Sequence, residues 1–236
     1  MNLIKDNWNN SDGSLFQTYL KSLARPEKVE WTRKILNTKM PLLAIMSPEI
    51  KKISKEISKG NFMSFLDLWL WEYYENTAIL GTLISKIKDF EVYKKYIVKY
   101  AELVDNWASC DVLTFNVNTK NETKFFNLAK NLIKSEKPFV RRIGIDIFFK
   151  FIEKDNFLNE IFDILNDFEA EKEYYVNMCI AWLVAECFVK RREETLEFLK
   201  ASKLNSFAIN RAIQKCRDSF RVSKEDKEML LSFKRN

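Results

Sequence analysis

Apolar residues recur at helical spacing along almost the whole chain, and the residues that break helices or make tight strand turns are scarce: four Gly and four Pro in 236 positions. So little turn chemistry leaves few ways to build β-hairpins, whereas the abundant Lys, Glu and Leu sit in helices at little cost. Polar breaks near residues 10–14, 38–40, 60, 118–121, 155, 169–173 and 202–206 divide the pattern into short helices. Short connections oblige neighbouring helices to pack as antiparallel pairs. The expectation is an all-α fold forming one domain over residues 1–236, with residues 1–40 as a candidate accessory helical element.

An internal repeat narrows this further. With Val104, Val140 and Val176 in register, a step of 36 residues each time, VDNWASCDVLTF aligns with VRRIGIDIFFKF and VNMCIAWLVAEC. Repeats of this length are helical hairpins that hide their apolar faces against their neighbours, so the array grows as a solenoid. The register also exposes departures from the shared template. Asp111 falls where the other two copies have Ile147 and Leu183, and Trp107 falls where they have Ile143 and Cys179. At about 100° per residue, the positions of Trp107, Asp111, Arg142 and Trp182 span an arc of roughly 140° and can face one channel.

Composition removes several kinds of chemistry. The chain contains no histidine, the usual general base and commonest metal ligand, so any reaction must run on carboxylates, Lys, Tyr or Cys. Cys110, Cys179, Cys187 and Cys216 form no CxxC pair, so neither a zinc site nor a disulfide framework is expected, and no metal or other cofactor is implied. No GxxxxGK, GxGxxG, HExxH or GxSxG motif occurs, which leaves nucleotide hydrolysis, dinucleotide chemistry, zinc proteolysis and serine hydrolysis without support. No apolar run reaches the roughly 20 residues of a membrane span, and the N-terminus lacks the apolar middle of a signal peptide, so a cytoplasmic protein without a membrane partner is expected. A net charge of +6 fits an acidic partner such as nucleic acid.

Each candidate residue has a plain reading beside a functional one. Asp111 is either an acid hydrogen-bonded for structure or one kept for chemistry, since an unpartnered carboxylate at a core-like position is strongly unfavourable. Trp107 and Trp182 are either core aromatics or indole faces that hold a cation or stack on nucleotides. Arg141 and Arg142 are either a solvated pair or phosphate ligands, with Arg142 the better placed by register. Lys190, Arg191 and Arg192, followed by Arg211, Lys215, Arg217, Arg221 and Lys224, are either solubilising charges or a stripe that tracks a phosphate backbone. The cluster LWLWEYYENTAILG reads as packing.

Three segments in order, NWASCD, FVRRIGIDIFF and YYVNMCIAWLVAE, followed by the tail NRAIQKCRDSFRVSKEDKEMLLSFKR, resemble the AlkD-like DNA alkylation repair proteins from about Leu68 to the end. The resemblance implies a right-handed superhelix of HEAT-like antiparallel hairpins, an ARM/HEAT-type α-solenoid that grips double-stranded DNA as a monomer in a bacterial cytosol or nucleoid. It implies hydrolysis of the N-glycosidic bond of cationic alkylpurines such as 3-methyladenine and 7-methylguanine. Matched by position, the family's catalytic Asp falls on Asp111, its two site tryptophans on Trp107 and Trp182, and its DNA-contacting Arg on Arg142. Two other classes stay open: a noncatalytic protein that binds damaged or branched DNA, and a protein-interaction scaffold.

Overall fold

In a computed structural model describing all 236 residues the chain is all-helical, with no strand. Its contacts divide it into two compact units, residues 1–116 and residues 117–236. No helix is long and apolar enough to cross a membrane.

The first unit contains α1 (Asn10–Ser22), α2 (Val29–Leu36), α3 (Ser47–Ile57), α4 (Phe62–Leu68), α5 (Tyr74–Ile84), α6 (Phe90–Ala101) and the short α7 (Trp107–Asp111). Residues 10–14, expected as a break, are instead the first turn of α1. The polar cluster starts the helix: Asn9 accepts from the Asp12 amide while the Asp12 carboxylate accepts from the Asn9 amide. At the other end of the next helix, Asn37 takes the left-handed conformation that commonly terminates helices, φ 54°, and stops α2. Phe16, Leu20, Phe65, Ile79, Leu83, Ile97 and Tyr100 form the core. Trp69 and Trp71 stack 5.8 Å apart and Trp71 meets Tyr100 edge-on, the packing role expected of that aromatic cluster.

The second unit contains α8 (Glu122–Leu132), α9 (Pro138–Phe148), α10 (Asp155–Asn166), α11 (Tyr174–Lys190), α12 (Arg192–Ala201), α13 (Ser206–Asp218) and α14 (Lys224–Met229). Here the repeat holds: α9 and α11 begin 36 residues apart, at Pro138 and Tyr174, and Val140 and Val176 are both buried third residues. The two helices pack on each other, and α11 packs in turn on α13. Gly144 permits the approach of α8, since a Cβ there would lie 2.7 Å from Ile133 Cγ2 and 3.0 Å from the Ala129 carbonyl oxygen.

The third copy of the template fails. Where the register would start a helix, at Glu102, α6 is still ending, and α7 starts only at Trp107 and stops at Asp111. Ile147, one residue before the end of α9, and Leu183, in the middle of α11, are fully buried, but Asp111 is the last residue of its own helix and is exposed. The acid therefore does not replace a core aliphatic.

Candidate functional site

Five residues cannot hold a helix by their own hydrogen bonding, so α7 is braced from outside. Asn106 caps it, its side chain accepting from the Ser109 amide at 2.9 Å. The same side chain donates to the Ser109 hydroxyl, which lies 2.7 Å from Thr77 Oγ1, and the Thr77 hydroxyl donates to the Tyr74 carbonyl on α5. The buried Tyr100 hydroxyl donates to the Ser109 carbonyl at 2.8 Å. Gly81 completes the seat, because a Cβ there would come within 2.6 Å of Val112 Cγ1 and 2.8 Å of the Tyr100 hydroxyl.

Residues 1–40 supply the remaining brace. Asp105 accepts from the Thr38 hydroxyl at 2.6 Å and from the Lys39 amide at 2.8 Å. Trp107 Nε1 donates to the Ile35 carbonyl, 3.0 Å away at the end of α2. The indole orientation is thus fixed by a segment the repeat pattern did not include. Trp107 and Asp111 stand one turn apart on α7, which puts a half-buried indole and an exposed carboxylate on the same face. The carboxylate lies at the helix C-terminus, where the last carbonyls already carry partial negative charge. That position gives the helix no stabilisation from the acid, and it adds to the negative potential that a developing cation would feel.

Arg142 and Trp182 belong to the second unit. Arg142 is 5% exposed and donates from Nη1 to the Tyr175 carbonyl at 2.7 Å, which ties α9 to the first turn of α11. One turn on, the buried Asp146 accepts from the Cys179 thiol at 2.9 Å. Arg142, read from sequence as a phosphate ligand, is a packed guanidinium whose Nη1 serves a backbone carbonyl. Trp182 is 38% exposed, rests on Phe149 with ring centroids 4.6 Å apart, and lines a cavity of about 340 Å³ with Glu186, Lys215, Ser219 and Arg221.

The basic stripe is redistributed in the same way. Arg141 makes a two-pronged pair with Glu171, at 2.8 and 3.0 Å, and also donates to the Ser135 and Glu136 carbonyls. Lys190 pairs with Glu153, Arg191 with Asp155 and Glu194, Arg192 with Asp226 and Glu193, and Arg221 with Glu186. Asp226 and Glu194 are held below the usual carboxylate range by these guanidinium partners. Arg211 and Lys215 stand outside the ion pairs; Arg211 lies over the Phe207 ring, 5.3 Å from its centroid. Of the stripe named from sequence, Arg211, Lys215, Arg217 and Lys224 take part in no ion pair, whereas Lys190, Arg191, Arg192 and Arg221 do. The acids that neutralise these last four come from positions some thirty residues away, or from neighbouring turns that counting lysines and arginines ignores.

Other nucleophiles are silenced by burial. It pushes the Cys216 thiol up to about 12 and the Cys187 thiol higher still, so neither offers a thiolate at neutral pH. A second carboxylate, Glu75, is fully buried on the first turn of α5 and accepts from the amides of Leu43 and Ile45. Burial raises its pKa, and those amides pull it back. It fastens the segment leading into α3, where Ala44 holds a left-handed φ of 57°. Sequence reading treated Glu75 as part of a packing cluster and overlooked Asn106. The second was detectable, as an Asn placed directly before a helical run.

These features define an all-helical protein whose candidate carboxylate is carried at the end of a short helix, one turn from an indole held by a backbone carbonyl. The chain belongs to the DNA alkylation repair enzyme family, whose model matches residues 16–216. Its role accordingly lies in the repair of alkylated DNA, with DNA as what it acts upon. No curated protein matches the chain.

Proposed function

We propose that the protein is a DNA glycosylase that hydrolyses the N-glycosidic bond of cationic alkylated purines, 3-methyladenine and 7-methylguanine, in duplex DNA, and that it does so as a monomer without a cofactor. The observation that carries this reading is the exposed Asp111 carboxylate, one turn from Trp107 on a helix braced by three other segments. We further propose that the hairpins stack as a right-handed HEAT-like superhelix. The 36-residue spacing of α9 and α11 supports that arrangement.

A purine alkylated on a ring nitrogen is already a cation. As the C1′–N bond breaks, its electron pair goes to the base, which departs neutral, so no general acid is needed and a site without histidine suffices. Positive charge grows on the deoxyribose at the same time, and a fixed carboxylate with its charge already in place stabilises that oxocarbenium character. Water then adds to C1′ and gives up a proton, with Asp111 positioned to orient it. The Trp107 face, one turn from Asp111, favours the cationic sugar, and Trp182 offers a second indole face to DNA in the other unit. Lys215 and Arg211 are the first choices for phosphate contacts, because neither takes part in an ion pair; Arg141, Arg142, Lys190 and Arg191 act mainly by tying together helices of the second unit.

The test is release of 3-methyladenine and 7-methylguanine from methylated duplex DNA by wild type and Asp111→Asn. Release that persists unchanged in the variant removes Asp111 from the mechanism. Absence of release by wild type, with binding that weakens steeply as salt rises, transfers the reading to a noncatalytic DNA-binding protein.

A further inference from the structure

The first unit displays a surface that the glycosylase reading leaves unused. Trp31 and Ile35 lie one turn apart on α2, and both point outward, 66% and 44% exposed. No other Trp, Tyr or Phe of the first unit is as exposed as Trp31. Lys28 and Lys34 sit three residues to either side of Trp31, adjacent to it on the helix surface, and neither takes part in an ion pair. Across residues 27–39 four cations, Lys28, Arg33, Lys34 and Lys39, stand against two carboxylates, Glu27 and Glu30.

This face is rigidly registered to the candidate carboxylate. Arg33 closes the end of α2 by donating to the Thr38 and Met40 carbonyls at 3.1 and 3.0 Å, Thr38 is bound to Asp105, and the Ile35 carbonyl receives the Trp107 indole N–H. The exposed edge of α2 therefore continues directly into the α7 site. A stiff aromatic flanked by unpaired lysines matches nucleic acid in both its parts: ammonium groups meet phosphates, and an indole packs on a sugar or an unstacked base.

We infer that the Trp31 face of α2 is a DNA-contacting surface beside the Asp111 site, and that Trp31 packs against the strand next to the lesion. The inference rests on DNA being the partner but not on base release. Its test is the affinity of the full chain for a duplex carrying a tetrahydrofuran abasic analogue, measured by fluorescence anisotropy and run beside the methylpurine release assay. Trp31→Ala is expected to weaken binding by about tenfold, within the range of one lost aromatic stack, while Trp31→Phe stays within about threefold of wild type. Should Trp31→Ala lose its helical circular dichroism, the double variant Lys28→Ala/Lys34→Ala serves in its place and must lower the salt slope by about two.

Binding by Trp31→Ala within twofold of wild type, or an unchanged slope in the lysine variant, overturns the inference. So does a dimer that Trp31→Ala dissolves at unchanged DNA affinity, because the face would then belong to a second copy. Trp31-dependent binding without base release keeps the inference and removes the glycosylase. Base release with Trp31-independent binding does the reverse.

Discussion

Helices α7 and α11 each present a candidate indole, and they are held in opposite ways. The seventeen residues of α11 are fixed by burial: Val176, Cys179, Ile180, Leu183 and Val184 are almost wholly enclosed, and α9, α12 and α13 pack around them. The five residues of α7 bury only Ser109 and Cys110, and depend on a cap, a chain of hydroxyls, Tyr100 and the N-terminal segment. Apolar burial is non-directional and spread over many atoms, so it forgives small errors. Polar bracing is directional, and each bond lost loosens the site. The candidate carboxylate thus stands on the part of the molecule that most needs specific partners, and the scaffold on the part that needs them least.

The sharpest way to break this contrast is Asp111→Asn. An exposed acid at a helix end contributes little to stability, so the melting temperature should stay within a degree or two of wild type, while base release should fall by about 100-fold to 1,000-fold, as when one preorganised electrostatic group is lost. A large fall in melting temperature instead would make Asp111 structural. Next in size is Glu75→Gln, which leaves one amide oxygen where a carboxylate served the Leu43 and Ile45 amides, and should cost about 2–3 kcal/mol in chemical denaturation.

Its pH dependence has a definite sign. The folded pKa of Glu75 lies above the unfolded value of 4.5, so folding binds a proton in the window between the two and stability rises as pH falls through it. Glutamine has no such gain. The melting-temperature gap between wild type and Glu75→Gln should therefore widen from pH 7 toward pH 5, and a gap that narrows would show that the amides outweigh burial.

A matched pair of glycines separates bracing from scaffold. Gly81→Ala and Gly144→Ala meet obstacles at 2.6 and 2.7 Å, and each should cost about 1–3 kcal/mol by overpacking. Only Gly81→Ala pushes against Val112 and Tyr100 behind α7, so at equal stability loss it should lower base release about tenfold further, in single-turnover assays below both melting transitions. The smallest effect concerns charge. Lys215→Ala should reduce the salt slope of DNA binding by about 0.9, the release of one counterion, whereas Lys190→Ala, already paired with Glu153, should leave it unchanged. Equal slopes would place the ion pairs on the DNA side.

Much of the helical layout was legible in the chain. Helical periodicity with almost no Gly or Pro marked an all-α fold; the breaks at residues 38–40, 60, 118–121 and 169–173 fall between helices, while those at 155 and 202–206 reach the first residue of α10 and of α13. Residues 10–14 misled because Asn, Ser and Asp punctuate chains in two senses, ending one helix or capping the next, and only the Asn9–Asp12 exchange decides which. The candidate site was half legible. Trp107 and Asp111 share a face because four residues make one turn in any helix, a local relation.

The surroundings of Arg142 were not legible, because register says which side of a helix a residue occupies but not whether a carbonyl from the next helix awaits it there. By itself, then, the sequence determined the helices, the family and the identities of the acid and the indoles, since these follow from local periodicity and residue type. The tertiary structure alone decided that α7 stops at Asp111, that residues 35–39 hold Trp107 and Asp105, and that Lys190 and Arg191 are neutralised while Lys215 is not. The bonds of Thr38 to Asp105, Trp107 to Ile35 and Lys190 to Glu153 join groups roughly thirty to seventy residues apart, and no local pattern in a chain encodes such a meeting.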